Sequence, residues 1–282
     1  MAAAKRLRAR RSGPATTLEG AHHDAHHGVP DGLSLLARPR EPGHPRDRRV
    51  LRHGLRLDVP VAGRGGRNYG FFQQAGRTVA AVGPLTEEGS SPAWTLYFRT
   101  PDADATAKAA EQHGGTVRAE PFDVMSDGRM AQLSDPAGVQ FAIWQPGETQ
   151  GLDAVTEANT FCWAELHTAD PAAATAFYQA LFGWRTETVE MPGMAYTVYS
   201  TAEGGTERET SFGGVAPLQS PDEPVRWVPY FEVTEVDAVL GRAEHAGGRV
   251  VMPGMDVPGV GRLGWATDPH GAVFAIIKSE MP

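Results

Sequence analysis

Two stretches of the chain share one pattern of apolar and polar positions. The stretch that begins at Trp94 aligns without a gap on the stretch that begins at Trp227, at an offset of 133 residues. Each opens with a short alternation of apolar and polar residues, which predicts a strand. Apolar residues at helical spacing follow, and three further strand-like runs complete the unit. The pattern therefore predicts the element order β-α-β-β-β in each copy.

Residues that are identical between the two copies predict where each helix begins and ends. We expect Asp104 and Asp237 to be the helix N-caps, because their carboxylates can accept hydrogen bonds from free N–H groups of the first turn. Gly-Gly pairs at 114–115 and 247–248 then end the helices, since glycine adopts the left-handed conformation of a C-terminal cap without steric cost.

Two further units follow the same pattern less completely. In residues 160–218, Trp163 to His167 forms the predicted first strand, and Asp170 caps the helix that follows. Residues 69–85 match the end of that unit. The chain therefore contains four units, of which the first has no recognisable beginning.

Three motifs carry a resemblance to a known family. They are Phe177 to Trp184 (FYQALFGW), His113 to Gly115, and the paired endings that run from Gly-Arg through Asp-Pro-x-Gly to Phe-Ala-Ile. With these motifs the chain resembles the vicinal oxygen chelate superfamily, which has the glyoxalase/bleomycin-resistance fold. The resemblance implies an α+β protein in which two βαβββ modules pair into one cupped mixed sheet, so that four modules make two domains.

The module boundaries predict how the domains divide the chain. We expect an incomplete first domain at 68–148, a linker at 149–158 and an intact second domain at 159–282. The remaining residues, 1–67, form an aberrant basic segment with thirteen Arg and one Lys against six acidic residues, although the whole chain carries a net charge of −8. Such a segment is typical of a nucleic-acid-binding arm or a transit peptide, or of a disordered tail.

Codon arithmetic favours a different origin for the basic segment. A shift of one base across Leu55 to Asp58 recovers Phe-Gly-Trp-Thr. A shift across Leu35 to Arg49 recovers a second Trp, and the two recovered Trp codons overlap Leu36 and Leu57. Those two positions have the same separation as Trp163 and Trp184. We therefore interpret residues 1–67 as an out-of-frame translation, and we expect no nucleic-acid partner. We also expect the first module to be defective, so that the first domain lacks its first strand and its first helix. A disordered basic tail is the alternative.

The predicted first strands supply the candidate ligand site. Alternation places Trp163, Glu165 and His167 on one face, opposite Cys162, Ala164 and Leu166. The equivalent strand of the last module places Tyr230 and Glu232 likewise. Both glutamates precede a predicted capping aspartate by five residues, so we expect them to be counterparts. The predicted ligand cup thus consists of Trp163, Glu165, His167, Tyr230 and Glu232.

The resemblance raises the question of whether this cup binds a metal ion. Metalloenzymes of the family bind a divalent ion through His and Glu on these strands, which makes Glu165, His167 and Glu232 candidate ligands. The chain departs from the family pattern at two places: Trp163 stands where the first-strand His is expected, and 274–277 offers no Glu. In the alternative interpretation the carboxylates only accept hydrogen bonds or pair with a nearby Arg.

Composition narrows the remaining possibilities. Apolar residues make up 41% of the chain, which suffices for buried cores, and no apolar run is long enough to span a membrane. The lone Cys162 excludes an internal disulfide framework, so a cytoplasmic location is expected. We expect a protein that binds a small organic molecule, of the resistance type. It has either no cofactor or a divalent metal ion, and the sequence is compatible with a homodimer. The alternatives are a metal-dependent lyase, isomerase or dioxygenase, and a non-functional frameshifted copy.

The reading-frame hypothesis makes a prediction about the gene. Resequencing of codons 30–70 should reveal a pair of compensating insertions or deletions, the second of them just before Tyr69. Restoring the frame should also recover the two Trp codons at positions that overlap Leu36 and Leu57. An uninterrupted frame in independent reads would refute the hypothesis and leave a basic tail as the explanation.

Overall fold

The chain forms two eight-stranded mixed sheets joined by residues 147–160. The computed structural model describes residues 33–38, 58–62, 69–85, 91–191, 194–202 and 210–280. The elements of the first sheet are β1 (Leu33–Arg38), β2 (Asp58–Ala62), β3 (Gly70–Gln74), β4 (Arg77–Val82), β5 (Ala93–Arg99), α1 (Ala103–Gln112), β6 (Thr116–Val124), β7 (Gly128–Ser134) and β8 (Gln140–Pro146). Those of the second are β9 (Phe161–Thr168), α2 (Pro171–Phe182), β10 (Arg185–Met191), β11 (Met194–Ser200), β12 (Ser211–Pro217), β13 (Arg226–Glu232), α3 (Val236–His245), β14 (Arg249–Val257), β15 (Gly261–Thr267) and β16 (Val273–Ser279).

Both sheets have the same strand order. The first runs β2-β3-β4-β1-β5-β8-β7-β6 and the second runs β10-β11-β12-β9-β13-β16-β15-β14. In each, the first strands of two modules pair antiparallel at the centre, and each of them pairs parallel with the last strand of its own module. The predicted α+β fold of paired βαβββ modules is confirmed.

The expectation that the first domain lacks its first strand is wrong. Strand β1 lies between β4 and β5, where β9 lies in the second sheet. Ladder hydrogen bonds join backbone groups, so a segment of unrelated sequence can fill this place if it adopts an extended backbone. The expected absence of the first helix concerns residues outside those described, and the reading-frame hypothesis stays a prediction.

The register of β1 differs from the one that the codon argument gave. Leu36 pairs with Thr95 and Ala81, whose counterparts at the offset of 133 are Val228 and Gly214. Those two residues flank Glu165 in the second sheet. Leu36 therefore takes the place of Glu165 and not that of Trp163, a difference of two positions that keeps the same face of the strand.

Two of the predicted helix caps are also corrected. Helix α1 begins after Asp102, whose Oδ1 accepts a hydrogen bond from Ala105 N at 2.9 Å, and α3 begins after Glu235, whose side chain makes no capping bond. The Asp170 cap of α2 is confirmed. Gly114 and its counterpart in the second domain follow their helices with positive φ, so the glycine prediction also holds.

The misassigned acids have another role, which explains why they recur at the same offset. Arg129 donates two hydrogen bonds to Asp104 and a third to Asp123, so that it ties α1 to β6 and β7. Arg262 reaches Asp237 and Asp256 in the same way in the second domain. The forked guanidinium lowers the pKa of Asp104, because it stabilises the ionised carboxylate.

The two sheets pack against each other through one face of each, which we call the packed face. Phe98 of β5 lies among aromatic rings of the second domain, 4.9 Å from Trp184 and 5.4 Å from Trp227 between ring centroids. Buried Tyr178 accepts a hydrogen bond from Trp227 Nε1 at 2.9 Å and donates one to Asp135 of the first domain at 3.4 Å. One aromatic core is thus shared by both domains. None of the described helices is long and apolar enough to cross a membrane.

The shared core predicts a large stability effect at Phe98. Phe98→Ala should lower the free energy of unfolding by about 3–5 kcal/mol, because it removes a fully buried ring that contacts both domains. Phe122→Ala is the control, since that ring is 45% exposed and its loss should cost less than about 1 kcal/mol. Urea unfolding of the full chain measures both, and equal losses would show that Phe98 does not join the domains.

Candidate functional site

The opposite face of the second sheet, which we call the second cup, carries the candidate site. Its floor consists of buried Val228, Tyr230, Ala275 and Ile277. Side chains of the two flanking strands, β9 and β15, pack against this floor: Cys162, Trp163, Leu263 and Trp265. The equivalent face of the first domain, the first cup, is lined by Ala81, Tyr97, Met130 and Ala142, with Tyr69, Phe71, Val124 and Trp144 against them.

A β-bulge alters the predicted alternation of β9. Tyr230 pairs with Trp163 but Phe231 pairs with Phe161, so Cys162 is the extra residue. The bulge brings Cys162 to the cup face beside Trp163, whereas alternation predicted the opposite face. Burial raises the pKa of the Cys162 thiol well above its usual range, with a smaller contribution from the negative charge of Glu232. The thiol is therefore held in its protonated form.

Glu165 is the centre of a hydrogen-bond network on the cup floor. Its Oε1 accepts from Tyr230 Oη and from His167 Nε2, each at 2.9 Å, and its Oε2 accepts from Tyr196 Oη at 2.9 Å. Trp163 Nε1 in turn donates to Tyr196 Oη at 2.9 Å. A buried carboxylate needs such donors, because the loss of its hydration is otherwise costly. Three strands thus converge on one carboxylate.

The two tyrosines act as donors over the whole ordinary pH range. Burial raises the pKa of Tyr196 and of Tyr230 well above the usual value, and the negative charge of Glu165 raises both further. Ionising either hydroxyl would leave a phenolate beside a carboxylate with no counterion between them. Both hydroxyls therefore keep their protons and hold the Glu165 carboxylate in place.

His167 links this network to the loop that precedes β13. Its side chain is 6% exposed, and its Nδ1 lies 3.0 Å from Glu223 Oε1. The two atoms are in contact but are not aligned for a hydrogen bond. Because an ionised carboxylate only accepts, Nε2 must donate to Glu165. The imidazole is thus held by carboxylates on both sides.

Glu232 lies apart from the network, which corrects one sequence expectation. Its carboxylate accepts hydrogen bonds from the backbone N–H and the hydroxyl of Ser279. Counted from the true N-caps, Asp170 and Glu235, the counterpart of Glu165 is Tyr230 and not Glu232. The misplaced cap in α3 caused the error, because it moved the count by two residues.

The residues of the second cup do not fit a divalent metal. The Glu165 carboxylate is taken up by three donors, His167 directs Nε2 at that carboxylate, and Glu232 is bound to Ser279. Ala275 and Ile277 occupy the cup face of the last strand, where the family resemblance placed a Glu ligand. Among the described residues, no group of three or more His, Cys, Asp or Glu side chains is arranged to hold a metal ion.

Sequence reasoning found some of the site and missed the rest. Trp163, Glu165, His167 and Tyr230 come together as expected. The network also needs Tyr196 on β11 and Glu223 in a loop, which the first-strand alternation could not find. Tyr196 had one usable signal, its alignment with Tyr69, because Tyr69 lies in the first cup. Of the two roles in the alternative interpretation, Glu165 and Glu232 have the first, since both accept hydrogen bonds. Neither pairs with Arg226, the nearby arginine considered for the second role, because no carboxylate among the described residues lies within ion-pair distance of that guanidinium.

Comparison with known proteins agrees with this architecture. The family model described as "Glyoxalase/Bleomycin resistance protein/Dioxygenase superfamily" matches residues 20–143 and 160–276. The chain belongs to this superfamily. The two matched segments correspond to the two sheets, so each sheet is one domain of the family.

Relatives of this superfamily protein include one with a glyoxylase name and one with an anthracycline biosynthesis name. CFP32 of Mycobacterium tuberculosis (strain CDC 1551 / Oshkosh), which carries a glyoxylase name, is 35% identical over 78% of this chain and 84% of its own. The anthracycline biosynthesis protein DauV of Streptomyces sp. (strain C5) is 34% identical over 77% of this chain and 82% of its own.

Solved structures share the fold at low identity. The Mn(II)-bound glyoxalase of Novosphingobium aromaticivorans matches with a TM-score of 0.58 at 15% identity, over 89% of this chain and 82% of that one. A 2,2',3-trihydroxybiphenyl 1,2-dioxygenase of Sphingomonas wittichii strain RW1 gives 0.59 at 14% identity, over 89% and 91%. At these identities the likeness shows the fold alone.

The tyrosine network predicts an alkaline loss of stability. Tyrosines whose pKa is raised by folding stabilise the folded protein below their unfolded pKa of about 10, and this contribution is lost as pH rises through the folded pKa. The free energy of unfolding should therefore fall above about pH 10. In the double variant Tyr196→Phe/Tyr230→Phe this fall should be smaller, because two of the responsible groups are gone. Urea unfolding at pH 8 and pH 11 measures it, and an unchanged slope in the variant would count against the network.

Proposed function

We propose that the second cup binds a planar organic molecule without a metal ion. The observation that carries the proposal is that both oxygens of Glu165 already accept hydrogen bonds, from Tyr196, Tyr230 and His167. A carboxylate held in this way orients aromatic side chains around itself and leaves no oxygen free for a metal. The cup therefore offers aromatic surface with a fixed polar centre, an arrangement typical of small-molecule sites.

Exposed apolar side chains support an open site on the cup face. Met255 is 46% exposed and pairs across the strands with Leu263, a residue of the second cup. Residues paired across an antiparallel ladder point to the same face, so Met255 borders the cup. Phe122 holds the same position in the first domain, opposite Met130. Exposed apolar surface beside a packed aromatic floor favours an apolar ligand.

The second cup is the better candidate of the two, because Glu165 gives it a polar centre. In the first sheet the place of Glu165 is taken by Leu36, while Tyr97 stands at the place of Tyr230. A ligand in the second cup can therefore be oriented by polar groups as well as by ring contacts. Orientation by a few fixed polar groups is what gives an apolar pocket its specificity.

The named relatives suggest a class of probe. DauV is named for anthracycline biosynthesis, and anthracyclines contain a planar ring system of the kind that aromatic side chains bind by stacking. The metal-dependent lyase, isomerase or dioxygenase is the weaker alternative, because the cup residues do not supply its ligand set. A cytoplasmic location, a homodimer and the non-functional frameshifted copy stay predictions from the sequence.

Ligand binding by the full chain tests the proposal. Isothermal titration calorimetry with anthraquinone-2-carboxamide, a neutral planar probe, should give saturable binding that is unchanged in excess EDTA. Met255→Lys should weaken binding roughly tenfold, or about 1.4 kcal/mol, because a charge replaces apolar surface at the cup border. Val260→Lys is the matched control, since Val260 is also exposed but lies at the turn between β14 and β15.

A second variant assigns the binding to one cup. Phe122→Lys places the same charge at the border of the first cup and should leave the affinity unchanged. Binding that is lost in EDTA would favour the metal-dependent alternative. Binding that is lost in Phe122→Lys but kept in Met255→Lys would place the ligand in the first cup and contradict the proposal.

A further inference from the structure

One cation at the second cup has no partner. Arg226 pairs across the strands with His167, so it lies on the cup face at the end of β13. Its guanidinium lies over the ring of Trp265, with Cζ 5.8 Å from the ring centroid. Its Nε is buried and donates no hydrogen bond, and no carboxylate of the described residues lies within ion-pair distance of the group.

Three other arginines among the described residues show the contrast. Arg77, Arg129 and Arg262 each pair with a carboxylate, although all three lie at the surface. Arg226 is about half buried, and burial lowers the pKa of its guanidinium because desolvation disfavours the charged form. A half-buried charge without a counterion costs stability, so its presence at the cup face needs another explanation.

The carboxylates nearest to Arg226 are already engaged. Glu223, whose negative charge partly offsets the burial of Arg226, has Oε1 3.0 Å from His167 Nδ1 and accepts a hydrogen bond from Gln219 N with Oε2. Both oxygens of Glu165 already accept hydrogen bonds from its three donors. Neither can turn to Arg226 without leaving His167 or a tyrosine unpaired, which would cost as much as it gained.

A second unpartnered donor lies beside the guanidinium. The indole Nε1 of Trp265 is buried and makes no well-aligned hydrogen bond, although it lies close enough to the Tyr230 hydroxyl to lower the pKa of that group slightly against the effect of burial. The Trp265 ring lies 5.0 Å from His167 and 6.3 Å from Tyr230, between ring centroids, so this donor also belongs to the second cup. The cup therefore presents a cation and a neutral donor on neighbouring side chains, and neither makes a well-aligned hydrogen bond with another described residue.

We propose that Arg226 and Trp265 form an anion subsite of the second cup, which selects planar aromatic ligands that carry a carboxylate. The carboxylate supplies the acceptor oxygens that both donors lack, and a guanidinium binds it through two parallel hydrogen bonds. The aromatic body lies against Trp163 and Tyr230. This inference rests on the proposed function, because it assigns the charge of the ligand that the cup binds.

The selection must come from the subsite and not from the overall field of the protein. The chain carries a net charge of −8, which repels anions at long range. Glu165 and Glu223 add negative charge within the cup. A preference for an anionic ligand over its neutral isostere would therefore require a local cation, and Arg226 is the unpaired one on this face.

A pair of isosteric probes tests the subsite in the full chain. Titration calorimetry should show that anthraquinone-2-carboxylate binds at least tenfold more tightly than anthraquinone-2-carboxamide. Arg226→Gln should remove this ratio while the affinity for the carboxamide stays within about twofold. Arg226→Lys should retain part of it, because an ammonium keeps the charge but not the planar fork. Arg249→Gln, which removes an exposed arginine of the edge strand β14, should leave the ratio unchanged.

Each outcome decides one claim. A ratio near one in the wild-type protein, or a ratio that survives Arg226→Gln, would overturn the anion subsite and leave the proposed function standing. Failure of both probes to bind would contradict the proposed function and the subsite with it. Urea denaturation will show whether Arg226→Gln is folded. If it is not, Arg226→Lys decides, because an unchanged carboxylate-to-carboxamide affinity ratio in that variant would exclude recognition by the planar guanidinium of Arg226.

Discussion

The second cup depends on one constraint: a carboxylate that is only 16% exposed must be given donors. The donors that Glu165 accepts from come from β9, β11 and β13. Tyr196 and Tyr230 must keep their protons to serve as donors, and burial ensures it. The same hydrogen bonds fix the positions of three aromatic side chains, because Trp163 donates to Tyr196. The polar centre and the aromatic lining are therefore one structure.

The same constraint is the reason why the residues of the second cup do not fit a metal ion. The sheet that positions metal ligands in other members of the superfamily is present, but the carboxylate on its central strand is turned to tyrosines and a histidine. A fold permits many sites, and the side chains decide which one is built. Glu165 can hold a metal or hold Tyr196 and Tyr230, and it cannot do both with two oxygens.

The sequence predicted the fold better than the site, for a physical reason. Recurrent glycines and Asp-Arg pairs leave a signal at a constant offset, so the repeat was visible. Pairs between strands that are distant in sequence leave none, and Tyr196 and Glu223 were missed for that reason. The assignment of Asp237 instead of Glu235 as the N-cap of α3 shows a further limit, because an acid in the first turn suits the helix dipole whether or not it is the cap. That two-residue error then moved the counterpart of Glu165 from Tyr230 to Glu232.

Polar groups that are hydrogen-bonded within the protein and polar groups that are not carry different information about a ligand. Glu165 is satisfied within the protein, so it contributes shape and rigidity but does not need a ligand. Arg226 and the indole of Trp265 are not satisfied, and their cost to the folded state is removed only by something from outside the chain. If the ligand were neutral and apolar throughout, an uncharged residue at position 226 would serve it better, since burial would then cost nothing. The unpaired cation is therefore the feature that distinguishes an anionic aromatic ligand from any other planar molecule that the cup could accept.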